Sequence, residues 1–460
     1  VRLRAMLAHQ IFKANDIRGI VGVEWDEAGA RALGAAYVEV LDLAGGTFVL
    51  GRDMRTSGLA LARAFAEGAM TAGATVVDIG LSSTDQLWFA SGFLDLPGIQ
   101  FTASHNPAAY NGIKFCLAQA QPVSSDFLIA TAHRAMALDS GTGAPAVAAP
   151  VPGASLARDV LADYARHLHS LVRLDGMRRL TVVVDAGNGM AGHTAPAVLG
   201  TLPIDLVGMY FELDGTFPNH QPNPLEPENL VDARRAVVDN GADLALVFDG
   251  DADRCFVIDE RGEVVSPSVI TALIAAAELE REPGATIVIN TITSRTVAEV
   301  VSQRGGTLVT SKVGHTYVKG LMAGHHAIFG GEHSAHYYFR EFWGADTGML
   351  AGLHVLGLLG RTDRTMSALA EEYDRYAASG EINSTVADVP AMLDRVEAAF
   401  DGRGSADRID GLTVRGPDWW VSLRASNTEP LLRLNVEAKE ASMMESLRDE
   451  VLAIVREEKP

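Results

Sequence analysis

Cysteine is nearly missing from this chain: among 460 residues there are two, Cys116 and Cys255. They form no CxxC pair, which argues against a zinc site built from cysteines. Both lie in apolar stretches, as buried reduced thiols do. Basic residues are also scarce, with 38 Lys and Arg against 58 Asp and Glu and a net charge of -20. Nucleic acid and anionic membranes are poor partners for such a field. An anionic substrate would need a cleft that gathers arginines. No apolar run reaches the ~18 residues of a membrane-crossing helix. The first residues carry arginines but neither a long apolar core nor a cleavage pattern, so a cytoplasmic location is expected. What is present is globular composition, 48% hydrophobic and 21% charged, at a length that suggests about three domains.

One rhythm is used three times. Apolar runs at Thr47–Leu50, Ala74–Ile79 and Ile99–Phe101 come first, with helical patterns between, such as Ser57 to Ala72. A Gly/Ala/Pro-rich stretch at 141–153 reads as a linker or exposed loop. The rhythm returns at Leu180–Val184, Ile204–Val207 and Leu244–Phe248, and again at Ala285–Ile289, Thr307–Val309 and Ala327–Phe329. Strands separated by helices predict right-handed βαβ units in mostly parallel sheets, hence three similar α/β domains. From about Ala377 the pattern changes. Trp419–Leu423 and Leu431–Val436 alternate apolar and polar residues, as half-buried antiparallel strands do. With a final amphipathic helix over Ala441–Arg456, the end of the chain reads as a small α+β domain.

Each third run opens into a polar, glycine-containing loop, the place where open α/β sheets bind ligands. The first, Thr102–Asn106, offers Ser104 as a nucleophile. His105 can orient it or exchange a proton, Pro107 stiffens the loop, and Lys114 follows closely. The second, Asp249-Gly250-Asp251-Ala252-Asp253-Arg254, directs three carboxylates toward one point, which suits Mg²⁺ or Ca²⁺. Asp249, Asp251, Asp253 and Glu260 match EF-hand positions, but Arg254 stands where that loop requires glycine and the run follows a strand. Arg254 reads better as an anion ligand. The third loop, Gly331–His336, holds Glu332 and Ser334 on one face of an extended backbone, a plausible reader of sugar hydroxyls. Arg424, Ser426, Asn427 and Thr428 crowd donors into one turn, with Arg433 just beyond, as a phosphate nest does. Arg18, Arg52, Arg55, Lys312 and His315 are further candidates, each equally readable as a structural partner. Gly187-Asn188-Gly189-Met190-Ala191-Gly192 matches the dinucleotide fingerprint, with Glu212 about twenty residues on. A plain packing turn uses the same spacing, and the chain offers no hydride chemistry elsewhere.

These four loops together resemble the α-D-phosphohexomutases, within them the bacterial phosphomannomutase/phosphoglucomutase group, over essentially the whole chain. Thr102–Pro107 is similar to the family's phosphoserine loop, Asp249–Arg254 to its magnesium loop, Gly331–His336 to its sugar-specificity loop and Arg424–Pro430 to its phosphate-binding loop. The resemblance implies four domains around a central cleft, at 1–150, 151–258, 259–373 and 374–460. It implies phosphorylation of Ser104, Mg²⁺ on Asp249, Asp251, Asp253 and a phosphoserine oxygen, and conversion of hexose 1-phosphate to hexose 6-phosphate through a 1,6-bisphosphate that also serves as activator. Hexose phosphates are then the partners, with a monomer or homodimer as the assembly. Lys114, His105 and His315 are the acid/base candidates, and Arg18 and Arg254 complete the catalytic set. The family often has an aromatic residue where Asn15 stands, and its bacterial prototype a lysine near Ile292. Glu332 to His336 look more like mannose/glucose mutases than like phosphoglucosamine mutase, the runner-up. A metal-dependent sugar-phosphate phosphatase and a sugar-phosphate binding protein are the readings of a different class.

Overall fold

The computed structural model describes residues 7–13, 16–142, 144, 149–425 and 431–456. They form two compact units. One holds the residues up to Val265 together with Ser334–Ser367, and the other holds Ser266–His333 together with the residues from Ala368 onward.

The first unit contains two sheets. Strands β1 (Ile17–Ile20), β2 (Thr47–Arg52), β3 (Thr75–Leu81), β4 (Gly98–Phe101), β5 (Tyr110–Cys116) and β6 (Ser155–Ala157) run in the order β1-β5-β4-β2-β3-β6. The central β4-β2-β3-β6 pairs are parallel, while β5 and β1 add antiparallel. Parallel strands covered on both faces need continuous apolar sequence, and Phe48, Val49 and Leu50 of β2 are all buried. Helices Glu27–Val40, Gly58–Thr71 and Ser125–Ser140 enclose a core in which Tyr37, Phe48, Phe65 and Phe127 meet edge to face or tilted. The second sheet holds β7 (Leu180–Asp185), β8 (Ile204–Met209), β9 (Leu244–Phe248), β10 (Cys255–Asp259) and β11 (Val264–Val265), ordered β11-β10-β9-β7-β8.

The second unit opens with β12 (Thr286–Asn290), β13 (Thr307–Ser311) and β14 (Phe329–Gly331), where β12 pairs in parallel with both others. The inferred repeat therefore has one strand order in every copy: β4-β2-β3, β9-β7-β8 and β14-β12-β13. Back in the first unit, β15 (Tyr337–Phe339) and β16 (Ala345–Asp346) pair antiparallel before the buried helix Gly348–Gly360. The last segment builds the sheet β17 (Ala377–Ala378), β18 (Ile382–Thr385), β19 (Ser405–Asp407), β20 (Leu412–Arg415), β21 (Trp419–Ala425) and β22 (Leu431–Ala438). Strands β21 and β22 are antiparallel, as their alternation predicts, and helix Ala441–Arg456 buries Met444, Leu447, Val451 and Val455 in the same core. No helix among the described residues is long and apolar enough to cross a membrane.

Two features differ from the rhythm read in the sequence. The sheets of the first unit are mixed, because β4 and β9 each fold back into an antiparallel neighbour. Strand β5 shows no continuous apolar run, because Asn111, Gly112 and Lys114 break it. The Gly187–Gly192 turn proves to be a packing device. A Cβ on Gly189 would stand 2.6 Å from the Gly250 carbonyl oxygen, and one on Gly192 would stand 2.3 Å from that of Phe211. Met190 N donates to Gly250 O at 2.9 Å. Glu212 meets the turn through its backbone carbonyl, which accepts from Asn188 Nδ2. We expect Gly192→Ala to lower stability by about 1–3 kcal/mol in denaturant titrations, while millimolar NAD or NADP leaves the wild-type melting temperature unchanged. A raised melting temperature with either nucleotide would restore the dinucleotide reading.

Candidate active site

Ser104 lies in the turn between β4 and β5, and its site grows from that turn. Its backbone is left-handed, with φ of 49°, a conformation that a non-glycine residue keeps only when its surroundings impose it. Its N–H donates to Thr102 Oγ1 at 2.9 Å. Its hydroxyl donates to Asp249 Oδ2 at 2.8 Å, with His105 Nδ1 3.3 Å away. The neighbouring loop fits against it only through Gly250, where a Cβ would stand 2.6 Å from the Ser104 carbonyl oxygen.

The fully buried strand β9 ends in that neighbouring loop and carries Asp249, Asp251 and Asp253 into the interior. Ligand oxygens from the three lie within 4.8 Å of one another. Lys114 Nζ sits 2.8 Å from Asp251 Oδ2 and 2.5 Å from Asp253 Oδ2. Arg254 turns back on its own loop, with Nε and Nη2 at 2.9 and 2.8 Å from Asp249 Oδ2. Burial pushes the Asp249 carboxyl up to about 7 against the pull of Arg254, with Asp253 and Asp251 adding repulsion. Burial works to raise the Asp251 pKa, but Lys114, Thr84 and Arg254 together hold it below the usual carboxylate range. Burial works to lower the Lys114 pKa, but Asp251 and Asp253 keep it above its ordinary value. His105 falls well below its usual pKa through burial and the nearby Arg254 and Arg18. Asp251 Oδ1 and Asp253 Oδ1 are buried with no hydrogen-bond partner among the described residues. Such oxygens, clustered and anionic, are the donor set a hard divalent cation requires.

Thr84 was not legible as a site residue. It opens helix Thr84–Leu94, capped by Ser83. Its N–H donates to the Asp251 carbonyl at 2.9 Å and its hydroxyl to Asp251 Oδ2 at 2.5 Å. The next residue, Asp85, accepts from Ser83, from Tyr164 OH at 2.7 Å and from Thr347 Oγ1 at 2.6 Å; burial raises its pKa to about 6. A signal was available, since Ser83-Thr84-Asp85 has helix-start composition ahead of an apolar run. Arg18 donates to Asn106 Oδ1 at 2.8 Å and to Asp16, which ties it to the Ser104 loop. Ser334 shares a hydrogen bond of 2.9 Å with His336 Nδ1, and His336 Nε2 lies 3.7 Å from Asp253 Oδ1. His336, rather than Ser334, is thus the residue of that pair that faces the carboxylates.

The second unit gathers the remaining candidates. Glu332 is 1% exposed, and its Oε1 accepts from Asn290 Nδ2 at 3.0 Å and from Gly314 N at 3.1 Å. The loops that follow β12, β13 and β14 therefore meet at one carboxylate. His315 begins the helix His315–His325 beside Gly314. Lys312 lies over the Tyr317 ring, 5.8 Å from its centroid, and Ile292 is buried. Arg424 and Arg433 stand directly opposite each other on β21 and β22, and Glu381 lies 3.2 Å from the first and 3.3 Å from the second. Like charges in cross-strand register repel, and Glu381, within reach of both guanidiniums, offsets that repulsion. Asp410 joins them, 3.8 Å from Arg424 Nη1 and accepting from Val313 N at 3.0 Å. Ser426, Asn427, Thr428 and Asn15 lie outside the described residues.

The chain matches four consecutive family descriptions: "Phosphoglucomutase/phosphomannomutase, alpha/beta/alpha domain I" over residues 9–136, domain II over 162–262, domain III over 266–376 and the C-terminal domain over 381–454. It is 40% identical to a phosphomannomutase of Escherichia coli strain K12 over 456 residues, covering 97% of this chain and 99% of that one. A Xanthomonas campestris protein named "Phosphohexose mutases" is 39% identical, with 97% and 99% covered. The crystal structure of a phosphoglucomutase/phosphomannomutase family protein from Burkholderia thailandensis superposes with a TM-score of 0.89 at 32% identity, covering 99% of each chain.

Mutating a residue that holds a metal ligand in place typically costs ten- to a hundredfold in metal affinity. Thr84→Val should therefore weaken binding of Mg²⁺ or Mn²⁺ about tenfold in calorimetric titration. Equal affinity in the variant would reduce Thr84 to a packing role.

Proposed function

This chain belongs to the phosphoglucomutase/phosphomannomutase family, and we propose that it interconverts mannose 1-phosphate and mannose 6-phosphate, with glucose phosphates as a second pair. The observation that carries this reading is the contact of Ser104 Oγ with Asp249 Oδ2 at 2.8 Å, beside the unpartnered oxygens of Asp251 and Asp253. A hydroxyl at the edge of a three-carboxylate cluster is what phosphoryl transfer asks of a protein: position and charge compensation rather than elaborate covalent chemistry. We read four domains, 1–150, 151–258, 259–373 and 374–460, as the bearers of the Ser104 loop, the Asp loop, the sugar loop and the phosphate loop.

Phospho-Ser104 gives its phosphoryl group to the free 6-hydroxyl of bound mannose 1-phosphate. The O6–P bond forms as the P–Oγ bond breaks, the hydroxyl proton passes to a base, and Oγ takes up a proton. The resulting 1,6-bisphosphate turns over, and its 1-phosphoryl group returns to Ser104 by the reverse steps, leaving mannose 6-phosphate. Asp249, Asp251 and Asp253, with a phosphoserine oxygen, would hold Mg²⁺, which when bound would neutralise charge on the transferring group. Lys114 adds positive charge at the same carboxylates, and Arg254 orients Asp249. Of the three acid/base candidates, His105 and His315 are the proton carriers, whereas Lys114 is held charged by Asp251 and Asp253; Arg18 steadies the loop through Asn106. Glu332 and Ser334 grip sugar hydroxyls. Arg424, Arg433, Ser426, Asn427 and Thr428 grip whichever phosphate is not reacting, so one anion site serves both orientations. A closed site would keep water from the phosphoserine.

Ser104→Ala should abolish turnover, by roughly 10⁴-fold or more, while sugar-phosphate binding persists; retained turnover would remove the phosphoserine step. Arg424→Ala should weaken mannose 1-phosphate binding about tenfold or more with little loss of Ser104 phosphorylation, and an unchanged affinity would put the phosphate grip elsewhere. Faster turnover of glucosamine 1-phosphate would favour the phosphoglucosamine reading. Net release of phosphate would favour a phosphatase.

A further inference from the structure

Arg55 spends its entire guanidinium on the Ser104 loop and on its own aspartate. The side chain is buried, 2% exposed. Nη2 donates to the Ser104 carbonyl at 2.8 Å and to the Asn106 carbonyl at 2.7 Å. Nη1 donates to the carbonyls of Pro107 at 2.9 Å and Tyr110 at 3.0 Å. Nε donates to Asp53 Oδ2 at 3.2 Å, while Asp53 Oδ1 accepts the Arg55 backbone N–H at 2.9 Å. A guanidinium has five N–H groups, and these five bonds use all of them. None is left for a phosphate, so Arg55 is not an anion ligand here. The ring of Phe217 covers the other side of the group, 5.1 Å from its carbon.

Four carbonyls drawn to one planar cation determine how the chain turns between β4 and β5. The first of the four belongs to the residue with the strained left-handed backbone, Ser104 at φ of 49°. We propose that Arg55 is the positioning residue of the Ser104 loop, holding the serine hydroxyl at the carboxylate cluster without touching substrate. The claim that this placement serves phosphoryl transfer rests on the proposed function. Lysine cannot replace it, because an ammonium presents three donors at one point and not a fork that spans four acceptors.

The test compares full-length wild type with Arg55→Lys and Arg55→Gln. Hydrogen exchange followed by mass spectrometry should show faster exchange across residues 102–110 in both variants and unchanged exchange in strands β7 to β9. In mannose 1-phosphate turnover, kcat should fall about a hundredfold, the usual penalty for a misplacement of about 1 Å, while KM stays within about threefold. A merely structural arginine would lower the melting temperature and leave kcat per folded molecule intact. Normal exchange at 102–110, or normal kcat in Arg55→Lys, would overturn the proposal. Failure of both variants to fold would also overturn it, by making Arg55 a residue of the fold as a whole. If wild type shows no mutase activity, the proposed function fails, and the exchange data alone still decide whether Arg55 holds the loop.

Discussion

Three aspartates within 4.8 Å of one another, none more than 1% exposed, cannot all stay ionised in a protein interior without positive charge. Much of the first unit is arranged around that requirement. Lys114 reaches in from β5 and Arg254 curls back from the Asp loop. The amino end of helix Thr84–Leu94 faces Asp251 with an N–H and a hydroxyl. Two oxygens remain unpartnered among the described residues, and Ser104 Oγ meets the cluster at Asp249. The serine is therefore placed by the same charges that would hold a cation, which is the arrangement in which a transferring phosphoryl group meets neutralising charge directly.

The scaffold makes that meeting possible through repetition. The strand that ends in the Ser104 loop and the strand that ends in the Asp loop occupy equivalent places, β4 beside β2 and β9 beside β7. Both strands are fully buried, so their loops begin from rigid positions. Glycines then allow backbones to touch: Gly250 against Ser104 and Gly189 against Gly250. In the second unit the same topology brings the ends of β12, β13 and β14 together on Glu332. Rigid strand ends with short polar loops deliver the precision that positioning chemistry needs.

Much of this is legible in the amino-acid sequence. The nine apolar runs correspond to β2–β4, β7–β9 and β12–β14, because strands buried on both faces have little freedom in composition; the edge strands β8 and β13 keep apolar runs although they are only half-buried. Ser104, the three aspartates, Glu332 and Arg424 stood out because each sits in a short local motif. What escaped was defined by distant partners. Thr84 and Asp251 are 167 positions apart, and Arg55 and Asn106 are 51 apart; nothing in the local composition of either names its mate. Strand β5 carries no clear strand pattern because Asn111, Gly112 and Lys114 interrupt its apolar run. The dinucleotide-like spacing at Gly187–Gly192 read ambiguously because close backbone packing and phosphate binding both ask for glycine.

The most direct measurement is intact mass with peptide mapping of Ser104, before and after incubation with mannose 1-phosphate and Mg²⁺, with sugar products followed in parallel. One phosphate on the Ser104 peptide, exchanged as mannose 6-phosphate forms, is the result expected of a phosphoserine mutase. An unmodified Ser104 throughout, with no isomerisation even when mannose 1,6-bisphosphate is added, would contradict it.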